Sequence, residues 1–441
     1  MRYPSLVVAT LLCVTTVLPA QKNAAEEAAA TREKAEAITV AKALQAGARI
    51  LVHSQERYTR DRRVGRLSED RLKEWQDEER ARLEKLRSGK KPGVEWPYEG
   101  VYRIRNGMIP PGYRVGGSAI VCAALVLTPG FADSDERKGA VARSIEFMLE
   151  ELKHNKLLAP GPKTGYDVRG WAHAYALDFF LLTQRRQLGD RKTRARIQKM
   201  IPHLIECLAA NEIKGGGGWN YGNSPCSPFM TGSTLLALYQ ARAQGFDVDD
   251  GMVDRALAAL EKARAKTGSY VYAGSAEGGR RAARGRRRTS GRAAMPGACA
   301  RAAIAELCLY RAGRSDQKKL RVAVDAFFEH WGELFKRKSQ QGTHQGPYGI
   351  APYYFFYGHT YAALAIEALP EKDRPALRQK MRETLWQTRD EDGGWNDRIF
   401  PRTKSYSTAM AMLALLAPEL DPVPEWKKGK KWKKGKKRKS Q

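Results

Sequence analysis

The side chains most able to do chemistry in this chain come in a repeated order. Trp171-Ala172-His173-Ala174-Tyr175-Ala176 and Tyr357-Gly358-His359-Thr360-Tyr361-Ala362 both read aromatic, small, His, small, Tyr, Ala. A neutral imidazole in such a run can ligate a metal, carry a proton, or satisfy a loop carbonyl as buried polar groups must. Acids occur later in segments of the same kind: Asp178, Glu306 and Glu367 stand among apolar residues, where a carboxylate needs a neighbouring Arg or a task. Asp167, Asp392 and Asp397 lie in the stretches leading into such segments. They are candidates for acid and base work on a glycosidic bond, which takes two carboxyl groups at a defined separation.

Aromatic residues crowd the same places. Tyr166, Trp171, Trp219, Tyr221, Tyr353, Tyr354, Tyr357 and Trp395 fall at or just before segment starts, beside Asp167, His173 and His359. If these starts share one end of the fold, they line a single cavity mouth, and rings with few polar groups suit a hydrophobic or sugar-like ligand. There is no Ser/His/Asp order, phosphate loop, nucleotide fingerprint or CxxC pair, so no cofactor is expected. His53, His154, His203, His330 and His344 fall on charged helices or loops and carry no functional expectation.

Two kinds of helix must position these residues. The first is amphipathic at a period of 3.6, as in Val141, Ile145, Met148 and Leu152, or Ile197, Ile201, Leu204 and Leu208. The second is apolar nearly all round and must be buried: Ser118 to Leu127, Ala172 to Leu182, Thr231 to Ala241, Ala298 to Tyr310, His359 to Leu369 and Tyr406 to Leu416. Their starts lie 54, 59, 67, 61 and 47 residues apart, one helical hairpin and a variable loop each time. Six outer and six inner helices therefore alternate. The economical arrangement is an all-α closed double ring, an α/α toroid over residues 38–420, with the inner helices around an axial cavity; an open solenoid of helix pairs is the alternative. In a six-hairpin ring, hairpins two and five face each other across about 20 Å, from neighbour spacings of about 10 Å. His173 and His359 should therefore not share a metal ion.

The loops before the inner helices carry Gly215-Gly216-Gly217-Gly218-Trp219-Asn220-Tyr221 and Asp390-Glu391-Asp392-Gly393-Gly394-Trp395-Asn396. The span Gln387 to Trp395 resembles the Gln/Trp repeat of the squalene-cyclase and prenyltransferase family, whose fold is this toroid; the first copy departs from it, with Asn211 where Gln belongs. The resemblance implies that Gln387 ties an outer helix to the next turn while Trp packs across it. It also directs attention to Asp247-Val248-Asp249-Asp250, which matches the Asp-x-Asp-Asp acid motif of terpene cyclases. Here that motif precedes an amphipathic outer helix, so capping is the expected role. The Asp, Cys and His zinc set of the prenyltransferases lacks its Asp-x-Cys pair, since Ser224 precedes Cys226 and Gly297 precedes Cys299 by two. The expected function is binding of a hydrophobic or glycan-like ligand at the cavity mouth, with a terpenoid-type cyclase or transferase with atypical residues, or a carbohydrate-active lyase or glycosidase, as alternatives.

Outside the ring, Arg2, the apolar run Leu6 to Val17 and Leu18-Pro19-Ala20 read as a signal peptide over residues 1–20, which points to a periplasmic or extracellular protein. Residues 21–37 form a leader, and 55–111 an insertion holding a charged helix between Leu67 and Lys90 that starts at Ser68. Of the formal charge of +29, seven Arg lie between Arg280 and Arg292 in an Arg-rich loop over 274–292, and ten cations follow Trp426, which leaves +12 for the rest. The tail over 421–441 is expected to be disordered and to bind anionic surfaces or polyanions nonspecifically. Cys122, Cys207, Cys226, Cys299 and Cys308 are odd in number and sit in apolar segments; the expected role is that of small buried hydrophobes, one disulfide remaining open.

Overall fold

The computed structural model describes residues 39–59, 67–100, 108–161, 167–221, 225–276 and 293–429. The expected signal peptide, the leader, the arginines of the Arg-rich loop, Tyr166 and the tail from residue 430 lie outside the described residues. The chain divides into two units at Gln45. Of the first, the described part is a helical stretch over 39–44. The second carries all that follows, beginning as helix over 45–53 (α1).

Six inner helices are α3 (Pro111–Leu127), α5 (Arg169–Arg185), α7 (Pro228–Ala243), α9 (Met295–Arg311), α12 (Phe355–Ile366) and α14 (Lys404–Leu416). Each packs on the next, and α14 packs back on α3, so the ring is closed and not a solenoid. The outer helices α4 (Asp135–His154), α6 (Arg191–Ala210), α8 (Asp250–Ala263), α10 (Gln317–Glu329) and α13 (Arg374–Trp386) pack behind the inner helices they follow, and α11 (Trp331–Phe335) is a short continuation of α10. α1 joins the same ring: Gly47 lies against Met412 and Thr408 of α14, close enough that a Cβ would overlap the Met412 sulfur. Among the described residues, extended pairing is limited to isolated bridges.

The two helix classes start differently, for local reasons. Four of the outer helices carry side-chain caps: Ser134, Asp190, Asp249 and Asp316 accept from backbone amides of the first turns of α4, α6, α8 and α10, which satisfies donors with no intrahelical partner; α13 has no such cap and has Pro375 in its first turn. Asp249 of the Asp-x-Asp-Asp segment thus caps α8. Inner helices α3, α7 and α9 instead begin at or next to Pro111, Pro228 and Pro296, where a missing N–H costs nothing. Their all-round apolar surface is buried; Leu177, Phe180, Leu235, Leu238, Ile304 and Leu307 are fully inaccessible, each contributing roughly 1.5–3 kcal/mol of transfer free energy.

The insertion holds the charged helix α2 (Glu69–Arg87). Ser68 stands at its cap position, but its side chain makes no capping bond. The insertion is tied to the last hairpin by ions and rings: Arg402, 1% exposed, donates to Glu56 at 2.5 and 3.1 Å and contacts Glu99 at 3.5 Å, while Trp75 packs edge-on against Phe400. Glu95 takes a two-point contact from Arg114.

The start of the tail corrects the expectation of disorder. Trp426 is 8% exposed, stacks on Tyr239 with ring centroids 5.5 Å apart, lies under the Arg242 guanidinium and donates its backbone N–H to Arg311 O. Lys428 pairs with Asp254 at 2.7 Å. Indole burial and stacking supply what the lysines cannot. The five described cysteines are buried free thiols, and burial pushes the Cys122 and Cys299 thiols up to about 12. No helix among the described residues is long and apolar enough to cross a membrane.

Candidate functional site at the inner-helix N-termini

Five inner helices carry an aromatic residue in the first turn: Tyr113, Trp171, Phe229, Tyr357 and Tyr406. Because the ring brings these starts together, the side chains meet at one mouth of the axis, joined by Tyr98 of the insertion and by Tyr221, Tyr272, Tyr353 and Tyr354 from the entering loops. The rings form two stacks. Tyr98 lies 4.0 Å from Tyr406 and 5.5 Å from Trp171, and Tyr113 meets Trp171 edge-on at 5.2 Å. On the other side Phe229 stacks on Tyr354 at 4.2 Å and meets Tyr357 at 5.0 Å, whose hydroxyl donates to Phe229 O. The space left between them is about 20 Å³, roughly one water. Tyr221, Tyr272 and Tyr353 form the half-exposed rim.

Of the residues expected at this mouth, Trp171, Tyr221, Tyr353, Tyr354 and Tyr357 line it. The other described ones do not. His173 and His359 are fully buried behind it as structural clamps. His173 Nε2 donates to Leu158 O at 2.8 Å and its Nδ1 accepts from Asn211 at 3.1 Å. In His359 the assignment is reversed: Nδ1 donates to Phe355 O at 2.8 Å and Nε2 accepts from Trp331 Nε1 at 2.9 Å. Burial lowers the His359 pKa to about 4 and keeps the ring neutral. With both nitrogens of each ring used, neither imidazole is a ready ligand or base. Among the described residues there is no group of three or more His, Cys, Asp or Glu placed to hold a metal.

Trp219 and Trp395 are clamps too. Each indole donates at 2.9 Å to the end of the preceding outer helix, Leu208 O or Leu385 O, and each backbone N–H donates to a threonine on the inner helix, Thr231 or Thr408. Trp96 in the insertion does the same with Leu51 O and Ser118. This answers the Gln/Trp expectation: the indole makes the tie, and Gln387 is exposed. The glycines have a geometric reason, since Gly217 at φ +74° would place a Cβ 2.4 Å from Arg255 O. Aromatic-x-His in hairpins two and five and aromatic-x-Thr in hairpins three and six thus do one mechanical job. The aromatic faces the axis, and the polar residue two positions on holds the outer layer.

The acids separate in the same way. Glu306 accepts from Arg264, Tyr270 and Ser315, and Glu367 takes a two-point contact from Arg378. Asp167 is paired with Arg169 at 2.7 Å, and Asp392 with Lys404. Asp397 differs. It is fully buried, accepts from Ser407 through Oδ1 at 2.9 Å, and its Oδ2 has no hydrogen-bond partner. Burial raises its pKa to about 7, and burial, with smaller contributions from Tyr98, Tyr175 and Asp397, raises that of Tyr406 in the mouth. Asp178 faces a second cavity at the other end of the ring.

Sequence reasoning missed Tyr98, Tyr113, Phe229, Tyr272 and Tyr406. A register signal was present for three of them, an aromatic in the first turn of the inner helices, but the helix starts had to be known within a residue to see it. Tyr98 and Tyr272 come from irregular stretches with no such period.

No protein-family model and no curated protein matches the chain. Solved structures similar to it include a UGL variant with the oligosaccharide dGlcA-Glc-Rha-Glc, at 13% identity and a TM-score of 0.50 over 76% of this chain and 93% of that one. An unsaturated glucuronyl hydrolase from Streptococcus agalactiae matches at 10% identity and 0.47, covering 75% and 88%, and the GH76A α-1,6-mannanase from Salegentibacter sp. HEL1_6 at 13% and 0.43, covering 73% and 94%. These do not support membership of the squalene-cyclase and prenyltransferase family. At such identities the likeness is one of fold, and that fold is the α/α toroid.

Proposed function

We propose that this chain is a carbohydrate-active α/α toroid that takes a glycan at the aromatic mouth. The observation that carries the reading is the convergence of ten aromatic rings on one end of the axis, eight of them tyrosines. A pyranose has apolar C–H faces and an equator of hydroxyls. Tyrosine offers a flat ring to the first and a donor–acceptor to the second. The 20 Å³ gap is too small to admit a sugar, so the glycan lies across the rim of Tyr221, Tyr272 and Tyr353. The oligosaccharide carried by the similar UGL structure agrees with this ligand class.

Binding is the primary activity in this reading. Among the described residues the mouth is lined by no carboxyl group, and Asp167 and Asp392 are held by cations. The test is a glycan array read with the full chain and with Tyr353→Ala. Saturable binding lost in the variant supports the reading. Absence of any glycan binding by the wild type overturns it.

A further inference from the structure

The other half of the axis holds a larger space of about 140 Å³, enclosed by the C-terminal halves of α3, α5, α7, α12 and α14 and crossed by residues 420–423. The Tyr175 and Tyr361 hydroxyls, 2.9 Å apart, form the partition: Tyr175 packs behind Trp171 and Tyr361 behind Tyr357. The wall is mostly Ala, Leu and other apolar residues, with Tyr175, Asp178, Arg185, Gln240, Gln244 and Asp421 among its polar members. Asp178 is flanked by buried Leu177 and Phe179, yet its own side chain is accessible, because it opens onto this cavity.

From this geometry we infer that the cavity is a binding site for a small ammonium compound, an apolar body of about six carbons carrying one cationic nitrogen, with Asp178 as its counter-ion. Size fits, since an apolar cavity of roughly 150 Å³ accommodates benzene. Charge fits as well. The titratable groups facing the space are Tyr175, Asp178 and Arg185 on α5, Tyr361 on α12 and Asp421 on the closing segment; α3, α7 and α14 contribute none. Arg185 is already paired with Asp421 at 3.2 Å, so the unbalanced charge is that of Asp178. Glu306 and Glu367, the acids at comparable places on two other inner helices, are each neutralised by an outer-helix Arg. Asp178, Arg185 and Asp421 together leave one net negative charge facing the space, which favours a cation. Desolvation holds Asp178 up at about 6, which makes the preference pH-dependent.

Calorimetric titration of the full chain with cyclohexylammonium and with cyclohexanol, at pH 8 and pH 5, tests this. The cation should bind about tenfold more weakly at pH 5, where roughly a tenth of Asp178 is ionised, while cyclohexanol binds alike at both. Asp178→Asn should lose at least tenfold for the cation at pH 8 and keep cyclohexanol, which also shows that its cavity is intact. Ala237→Phe, which fills the space, should abolish both. Equal affinity of wild type and Asp178→Asn for the cation, pH-independent binding, or no binding of the cation at millimolar concentration would overturn the assignment.

Discussion

Replacing Asp397 by Asn should stabilise the protein above neutral pH and do nothing in acid. The carboxyl is fully buried, and its pKa is raised from the usual 3.8 to about 7, chiefly by desolvation. A raised carboxyl pKa means that the folded state holds a proton the unfolded state has released. Stability therefore falls as pH rises from about 4 to about 7 and is level beyond. Three units correspond to about 4 kcal/mol as an upper figure. Asn keeps the Ser407 bond through its carbonyl oxygen and cannot ionise, so the variant avoids this loss. His359 contributes in the opposite sense: its folded pKa near 4 costs stability as pH falls through 6.5 toward 4. The two slopes partly cancel in the wild type, so the informative quantity is the difference between variant and wild type. In urea unfolding followed by circular dichroism, that difference should be near zero at pH 4 and reach a few kcal/mol at pH 8. Parallel curves from pH 4 to pH 8 would refute the reasoning.

Other perturbations follow from the clamps and the buried ions. Trp395→Phe removes the indole donor to Leu385 O and leaves a void where the second ring of the buried indole packed, and should cost about 1–3 kcal/mol in denaturant unfolding. Arg402→Met leaves Glu56 and Glu99 buried without their cation and should cost about 3–5 kcal/mol, with Glu56→Gln in the same chain recovering part of it. Ending the chain after Gly429 should leave the melting temperature unchanged and weaken low-salt retention on heparin. Ending it before Trp426 should lower the melting temperature as well, since that indole is packed on Tyr239 and Arg242.

The fold was legible because the two helix classes differ in composition as well as in period. A helix such as α12, apolar on every side, has no stable place outside a ring interior, and six such helices at near-regular spacing leave few arrangements. Half of the mouth was legible too, where Trp171 and Tyr357 start their helices in a repeated sequence. What misled was that one residue type serves two directions. Trp171 faces the axis and Trp219 faces the outer layer, and both precede or begin an inner helix after a loop. Only the register relative to the helix start separates them, and boundary errors of two residues erase it. The start of the tail differs from expectation for a related reason: composition weighs nine lysines against Trp426 without the Tyr239 and Arg242 surface that receives the indole.

The central claim, a glycan at the aromatic mouth, is tested most directly by intrinsic fluorescence. Trp171 is the one tryptophan among the residues lining that mouth. Titrating the full chain with neutral and uronate-containing oligosaccharides should give a saturable change in tryptophan emission that disappears in Trp171→Phe while circular dichroism stays unchanged. Absence of any saturable change in the wild type, or an undiminished change in Trp171→Phe, would contradict the account.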